Sequence, residues 1–155
     1  GKRIMVVATP VTVREEKLKN LIAQVDETHL VDLLPLPKLV RFAERGIFQS
    51  PEITSYLHSM LAGYDLQAYS TLVLGCTHFN FFKDTFRKIF PAGINIIDGS
   101  AGTVNHLADI LKEKMLPESP KPSVEYYRSG RKVTNSKTLR HIGELHKRLD
   151  LMLHL

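Results

Sequence analysis

Three residues with chemically active side chains stand in a row at Cys76, Thr77 and His78, directly after an apolar run and Gly75. A thiol can exchange a proton, a hydroxyl can donate a hydrogen bond, and an imidazole can act as an acid or a base near neutral pH. Cys76 is also the only cysteine of the chain. The order and the types of these residues indicate proton-transfer or nucleophilic chemistry.

The residues around this motif predict its place in the fold. Residues 71–74 are β-branched or aliphatic and precede Gly75, which predicts a short buried strand followed by a turn. A helix is predicted after the turn, because four apolar residues fall near one helical face: Phe79, Phe82, Phe86 and Ile89. Cys76 would then lie where parallel α/β sheets bind ligands. The helix dipole and a nearby imidazolium would both favour its thiolate.

A second interpretation of Cys76 stays open at this stage. A single cysteine after an apolar strand is also typical of an inert core residue. His78 would then be a capped polar residue, and the chain would be a non-catalytic α/β binding or regulatory module; a redox-sensing cysteine protein is a third class. The neighbouring Thr77 and His78 favour chemistry, since both are costly to bury without partners.

The rest of the chain alternates short apolar runs with helical stripes. Strands are predicted near residues 4–8, 29–34, 71–74 and 94–98, with helices between them. This alternation predicts an α/β fold with a mostly parallel sheet flanked by helices. Thr9 and Thr12 follow the first strand, where they could cap the next helix or bind a ligand. Residues 117–122 contain three prolines and predict a linker or loop.

Composition narrows the class of protein. The chain has 155 residues, of which 43% are hydrophobic and 24% charged, as expected for one globular domain or parts of two. No apolar run approaches the roughly 18 residues of a membrane span, no secretory signal is evident, and one cysteine allows no internal disulfide, so we expect a cytoplasmic protein. The net charge is +5, but the Lys and Arg residues are scattered, which indicates solvated helix faces rather than a nucleic-acid site. No metal-type Cys/His spacing occurs.

Four segments resemble glutamate racemase, a member of the cofactor-independent aspartate/glutamate racemase superfamily. Gly75-Cys76-Thr77-His78, followed by an aromatic residue, resembles the second-cysteine motif of that family. Residues 8–12 resemble its Gly-Thr-x-x-Thr turn, residues 37–46 its Pro-x-x-Val-Pro-Leu-Val-Glu-x-Gly segment, and residues 127–130 its C-terminal Ser-Gly turn. Three positions depart from the pattern: Ala8 replaces a glycine, Arg41 replaces a proline, and Asn80 stands where a proline is common.

The resemblance implies a chemistry and a set of site residues. Members interconvert L- and D-glutamate with two cysteines on opposite sides of the α-carbon, without pyridoxal phosphate or a metal, and supply D-glutamate for peptidoglycan. Cys76 would be one of the two cysteines, and His78 would poise its proton. The substrate carboxylate or amine would be held by Thr77, Thr9 and Thr12. Glu44 would be an auxiliary carboxylate near the site.

The resemblance also implies a domain organisation. Residues 2–92 would form the second lobe of a two-lobed racemase, with the flavodoxin-like architecture of that superfamily. Residues 93–155 would return to the first lobe, whose N-terminal half brings Asp-Ser-Gly and Cys-Asn-Thr motifs that do not occur here. We therefore expect a C-terminal portion that does not racemise glutamate alone. We also expect the chain from Ile94 onward to lack its normal neighbours and to take a second copy or the absent lobe as its partner.

Overall fold

The computed structural model describes residues 2–112 and 123–155, so the linker predicted at residues 117–122 lies outside the described residues. The helices and strands are, in chain order, β1 (Arg3–Ala8), α1 (Pro10–Arg14), α2 (Glu16–Val25), β2 (Val31–Pro35), α3 (Pro37–Glu44), α4 (Pro51–Leu61), a first 3-10 helix (Leu66–Ala68), β3 (Tyr69–Leu74), a second 3-10 helix (Thr77–Phe82), α5 (Lys83–Ile89), β4 (Asn95–Asp98), α6 (Ser100–Leu111), β5 (Tyr127–Arg128), β6 (Arg131–Lys132) and α7 (Ser136–Leu153).

The first four strands form one parallel sheet in the order β2-β1-β3-β4. Helices connect consecutive strands, so the α/β class and the parallel sheet predicted from the alternation of apolar runs are confirmed. The chain moves from β1 to β2 on one side and then returns to place β3 on the other side of β1. The strand order therefore reverses between β1 and β3, which makes their carboxyl ends the topological switch point of the sheet.

One face of the sheet carries the hydrophobic core. Met5 and Val7 of β1 lie opposite Leu72 and Leu74 of β3, and all four are buried. Side chains alternate between the two faces of a strand, so these residues share one face. Helices α3, α4, α5 and the second 3-10 helix supply further fully or nearly fully buried side chains: Leu39, Ile53, Leu57, Phe79, Phe82 and Phe86. Burial of this apolar surface stabilises the unit, at about 25 cal/mol per Å².

Helix starts in this unit follow from local sequence. Prolines occupy the beginning of α1, α3 and α4, where a missing N–H costs nothing and the fixed φ suits a helix. Ser50 caps α4, because its hydroxyl accepts a hydrogen bond from the Ile53 N–H at 3.3 Å. These signals explain why the connections after β1 and β2 turn into helices directly.

The described chain divides into two compact units. The first comprises the residues up to Gly99 together with Met152–Leu155, and the second comprises Ser100–Leu151. Strand β4 belongs to the first unit because it pairs with β3 in parallel, with Leu74 opposite Asp98. The expectation that the chain from Ile94 onward lacks its neighbours is therefore wrong for β4. The assignment of residues 2–92 and 93–155 to two racemase lobes stays a prediction.

The second unit holds a helix, a hairpin and most of α7. Strands β5 and β6 are antiparallel, and the turn between them uses positive φ at Ser129 (48°) and Gly130 (76°). Such a pair of positive φ angles is typical of the tight turns whose twist matches a hairpin. All residues of α6 are exposed, including Val104 and Leu107. Among the helices that the structure describes, none combines the length and hydropathy of a membrane span.

A charged network joins three strands at the amino end of the sheet. The Arg3 guanidinium donates two hydrogen bonds to the Asp32 carboxylate, from Nε at 2.7 Å and from Nη2 at 2.8 Å. The buried Tyr69 hydroxyl donates a third at 2.5 Å. The Arg3 guanidinium holds the pKa of Asp32 below its usual range, and burial together with the Asp32 carboxylate raises the pKa of Tyr69 to about 12. The ionised carboxylate and the neutral phenol are thus the forms that the fold favours.

Replacement of Asp32 by asparagine tests this network. Asp32→Asn removes the charge that accepts all three bonds, so the free energy of unfolding should fall by about 1–3 kcal/mol at pH 7. The folded pKa of Asp32 is lowered, so its contribution is fully present above about pH 5 and is lost as the pH falls through the folded value. Urea unfolding of parent and variant should therefore converge in acid. Glu16→Gln, in the exposed Lys19–Glu16 pair, is the control and should leave stability unchanged; equal effects of both changes would contradict the role of the network.

Candidate active site

Gly75 brings the end of β3 unusually close to β1. Its N–H donates to the Val7 carbonyl at 2.8 Å, which extends the ladder one residue beyond the strand. A Cβ at this position would lie 3.1 Å from that oxygen and 3.2 Å from the Ala8 Cβ, both tighter than ordinary contacts. A side chain here would force its neighbours to move by a few tenths of an ångström, so glycine suits this close approach of the two strands.

Cys76 and His78 form a side-chain pair just after this point. The Cys76 Sγ lies 3.7 Å from the His78 Nδ1, within hydrogen-bonding range for sulfur, and the tautomer of the imidazole decides which atom donates. Both side chains are half-buried. Cys76 keeps an extended backbone, with φ −144° and ψ 133°, at the carboxyl end of β3. The thiol is therefore accessible and paired with an acid–base group, unlike a cysteine of the core.

The segment after Cys76 differs from the predicted helix. Thr77–Phe82 is a 3-10 helix, and the α-helix α5 begins at Lys83. Every residue of the segment is a weak helix former, so its own preference for an α-helix is small and packing decides its form. Phe79 and Phe82 lie three residues apart and are fully buried, so they hold this segment against the core. Cys76 is therefore the N-cap of a 3-10 helix rather than of an α-helix, and its side-chain partner is His78.

Thr9 and Thr12 form a hydroxyl pair after β1. Thr9 is the N-cap of α1: its Oγ1 accepts from the Thr12 N–H at 3.2 Å and lies 2.9 Å from the Thr12 Oγ1. The capping interpretation is thus confirmed for Thr9. One hydroxyl proton is used between the two oxygens, which leaves the other proton for an acceptor such as a carboxylate. Ligand binding by this pair stays a prediction, and capping does not prevent it.

The fold brings the threonine pair and the cysteine to one place. Val7 lies opposite Leu74, and Thr9 and Cys76 each follow these paired residues by two positions, so both lie just beyond the carboxyl ends of neighbouring strands. Both residues follow neighbouring strands at the topological switch point, where ligands bind in open α/β sheets. The juxtaposition links a hydrogen-bond donor with an acid–base pair.

Two other predicted residues are placed differently. Thr77 is exposed at the start of the 3-10 helix, next to Cys76 in the chain. Glu44 is exposed at the last position of α3. Helix α3 begins at the carboxyl end of β2 and runs away from it, so Glu44 lies about 10 Å along the helix from its start. Helix α3 lies close to the 3-10 helix that follows Cys76, and the auxiliary role of Glu44 stays a prediction.

The sequence interpretation missed an ion pair near this edge. The Lys83 Nζ lies 2.7 Å from the Asp98 Oδ2, and the two side chains are only 17% and 14% exposed. Lys83 opens α5, and Asp98 ends β4 opposite Leu74. In the sequence, only the carboxylate of Asp98 at the end of an apolar strand pointed to this ion pair. A cap of the following helix would explain that carboxylate equally well.

The site holds a proton-transfer pair and hydroxyl groups at the carboxyl end of the sheet. A hollow of about 350 Å³ is lined by none of the site residues. Its lining consists of Gln49, Ser50, Pro51, Thr54, Thr85, Lys88 and Ile89. Within residues 2–112 and 123–155, no cluster of three or more His, Cys, Asp and Glu side chains could hold a metal ion. The paired thiol and imidazole can exchange a proton with a bound molecule, and the threonine hydroxyls can bind an acceptor group.

Comparison with curated proteins identifies close relatives. The chain is 48% identical over 156 residues to a glutamate racemase of Lachnospira eligens, covering 98% of this chain and 59% of that protein. It is 48% identical over 153 residues to a glutamate racemase of Campylobacter curvus, covering 99% and 58%. The chain thus spans somewhat more than half the length of these relatives. The predicted resemblance is confirmed, and the chain is homologous to glutamate racemases over nearly its whole length. No protein-family model matches the sequence.

Solved structures agree on the fold. Escherichia coli glutamate racemase, in complex with L-glutamate and the activator UDP-MurNAc-ala, matches 77% of this chain and 46% of its own, with TM-score 0.65 and 24% identity. Francisella tularensis glutamate racemase, in complex with D-glutamate, matches 100% of this chain and 55% of its own, with TM-score 0.65 and 20% identity. At this identity the likeness supports the α/β architecture.

A methyl group at position 75 tests the close approach of β3 to β1. Gly75→Ala should lower the free energy of unfolding by about 1–3 kcal/mol, because the Val7 carbonyl or the turn must move. Gly63→Ala is the matched control, since its Cβ would meet nothing within 4 Å and its φ is not positive. Thermal unfolding of both variants gives the comparison. A Gly75→Ala protein as stable as Gly63→Ala would show that the approach is not required.

Alkylation of Cys76 tests its pairing with His78. Iodoacetamide should modify the half-buried thiol in the folded chain, whereas a core cysteine should react only on unfolding. His78→Asn should slow the reaction at pH 7 by about tenfold, because the imidazole no longer exchanges the thiol proton. His58→Asn, on an exposed position of α4, is the control and should leave the rate unchanged. If Cys76 reacts with iodoacetamide only in denaturant, it is an inert core cysteine.

Proposed function

We propose that this chain supplies one acid–base group and part of the substrate site of a glutamate racemase, an enzyme that interconverts L- and D-glutamate without a cofactor. The observation that carries the proposal is the half-buried Cys76–His78 pair at the switch point of the sheet, where Thr9 follows the neighbouring strand. The pair occurs in a chain that is 48% identical to proteins named glutamate racemase. An inert core cysteine would need neither its exposure nor its imidazole partner.

The proposed reaction is a proton transfer at the α-carbon. The Cys76 thiolate takes the α-proton, so the C–H bond breaks, an S–H bond forms, and the electron pair delocalises towards the substrate carboxylate. A second acid then delivers a proton to the opposite side of the carbon, which gives the other enantiomer. In the reverse direction Cys76 is the acid. His78, 3.7 Å from the sulfur, exchanges the thiol proton and sets the protonation state in which Cys76 begins each turnover.

Threonine hydroxyls and exclusion of water account for substrate activation. The α-proton is weakly acidic, so a fixed substrate orientation and desolvation must lower the barrier. The hydrogen bond between Thr9 and Thr12 uses one of their two hydroxyl protons, and the other would be donated to the substrate carboxylate. Thr77, adjacent to Cys76, would bind the carboxylate or the amine of the substrate. Glu44 would act as an auxiliary carboxylate near the site. Glutamate as the substrate follows from the names of the relatives and from the glutamate bound in two related structures.

The second acid–base group is not among the cysteines of this chain, which has one. We assign it to the portion that the curated relatives have and this chain does not span. The same portion would cover the carboxyl end of the sheet and exclude water from the α-carbon. In this proposal the complete enzyme is cytoplasmic and supplies D-glutamate for peptidoglycan.

The isolated chain provides the first functional test. With one thiol it should show no interconversion of the glutamate enantiomers, measured by circular dichroism over time. Solvent deuterium exchange, followed by NMR, separates the half-reaction: any loss of the α-proton signal should occur in one enantiomer only, since one thiol reaches one side of the carbon. Racemisation by the isolated chain would contradict the two-sided mechanism.

A chimera provides the second test. The chain replaces the matching portion of the Campylobacter curvus racemase, to which it is 48% identical. The chimera should racemise glutamate, and Cys76→Ser should abolish the reaction, because a serine hydroxyl supplies almost no conjugate base near neutral pH. His78→Asn should lower kcat by about 10²–10⁴-fold. Ser55→Ala, on the exposed side of α4, is the control. Full activity of the Cys76→Ser chimera would exclude the catalytic assignment.

A further inference from the structure

Lys83 and Asp98 form a largely buried ion pair in the unit that carries Cys76. The Nζ–Oδ2 distance is 2.7 Å, and the side chains are 17% and 14% exposed. The Lys19–Glu16 and Lys112–Asp109 pairs are different in kind: each joins residues three positions apart in the chain, and each is exposed. Lys83 and Asp98 instead join two separate elements, α5 and β4.

The ion pair closes the segment that carries the site. Its first end is fixed where the Gly75 N–H binds the Val7 carbonyl. The segment then runs through Cys76 and the 3-10 helix Thr77–Phe82, and α5 follows at once with Lys83. Lys83 is bound to Asp98, which is itself fixed opposite Leu74 by the β3–β4 register. Both ends of the segment are therefore anchored to β1, β3 and β4, the central and edge strands around the switch point.

A stabilising role alone explains the ion pair poorly. Two buried charges lose their hydration, and replacement of such a pair by well-packed apolar residues is often neutral or favourable. An apolar contact does not constrain geometry in this way. The ammonium and the carboxylate fix one distance and one orientation between α5 and β4. The Cys76–His78 distance of 3.7 Å is at the long end for a hydrogen bond to sulfur, so small shifts of the 3-10 helix would separate the two groups.

We propose that Lys83 is a positioning residue that, through Asp98, sets the geometry of the Cys76–His78 pair. It touches neither group and acts by fixing the end of the segment on which His78 lies. The role rests on the proposed function only in that Cys76 and His78 are the reacting pair. Its direct readout, the reactivity of Cys76, does not require racemisation.

The test compares Cys76 alkylation in variants of the intact chain. The main variant is Lys83→Met with Asp98→Asn, which removes both charges of the ion pair at nearly constant volume. Its alkylation rate at pH 7 should fall about tenfold, towards the rate of His78→Asn, because misplacement of reacting groups by about 1 Å can cost up to 10²-fold. Lys83→Arg keeps a cation that can bind the carboxylate and should restore most of the rate. Lys112→Met, in the exposed pair with Asp109, is the control and should leave the rate unchanged.

A double-mutant cycle separates positioning from stability. If the ion pair acts through His78, removal of the pair should have little further effect once His78→Asn is present, since coupled residues are not additive. A purely stabilising role predicts that removal of the ion pair lowers the melting temperature and leaves the Cys76 alkylation rate unchanged. Independent action predicts that the effects of removing the ion pair and of His78→Asn on this rate multiply. Either result would overturn the proposal. If the charge-removing variants do not fold, Asp98→Glu keeps both charges and lengthens one arm by a methylene. A lower Cys76 rate in Asp98→Glu supports the proposal, and an unchanged rate overturns it.

The same variants in the chimera keep this inference distinct from the proposed function. If the ion-pair variants slow the alkylation of Cys76 and the parent chimera does not racemise glutamate, the positioning role is retained and the racemase assignment is rejected. An active chimera whose kcat does not respond to the ion pair would retain the racemase assignment and reject the positioning role.

Discussion

The contact between Gly75 and β1 determines where every group of the candidate site lies. The Gly75 N–H meets the Val7 carbonyl at 2.8 Å, and the space beside it is too small for a Cβ. This contact continues the β1–β3 register beyond the last residue of β3. Because the sheet is parallel, the carboxyl ends of β1, β3 and β4 meet at one edge, with Thr9 following β1, Cys76 following β3 and Asp98 opposite Leu74. A shift by one residue would reverse the faces of β3 and move Cys76 away from the switch point.

Charges are concentrated at the two ends of the sheet, and the apolar core lies between them. At the amino end, Asp32 accepts hydrogen bonds from Arg3 and Tyr69 and ties together β1, β2 and β3. At the carboxyl end, Asp98 binds Lys83 and ties β4 to α5. Each carboxylate has a cation partner, as a carboxylate withdrawn from water requires. The amino-end network fixes strands to one another, whereas the carboxyl-end pair fixes the segment that carries Cys76 and His78.

The site supplies a proton-transfer pair built on the only cysteine of the chain. Cys76 and His78 are half-buried, and the threonine hydroxyls lie after the neighbouring strand. Removal of a weakly acidic proton needs a dry, two-sided environment, because water competes for the carbanion and for the thiolate. The homologues are longer than this chain, which spans 59% and 58% of the length of the two curated relatives described above. The proposed function places the second wall and the second acid in that remaining portion.

The sequence by itself determined the features that depend on near neighbours in the chain. Apolar runs located all four strands of the parallel sheet, Gly75 marked the end of β3, and the hydroxyl before Pro10 marked the cap of α1. The motif around Cys76, together with three further segments, identified the resemblance that the curated relatives confirm. Tertiary structure alone decided three things: that the segment after Cys76 is a 3-10 helix, that β4 continues the sheet, and that Lys83 reaches Asp98. Each depends on contacts between residues distant in the chain, such as packing of Phe82 in the core, and periodicity carries no record of such contacts. The same reason explains Glu44: its type was recognised from the motif, but its distance from Cys76 depends on the direction in which α3 leaves the sheet.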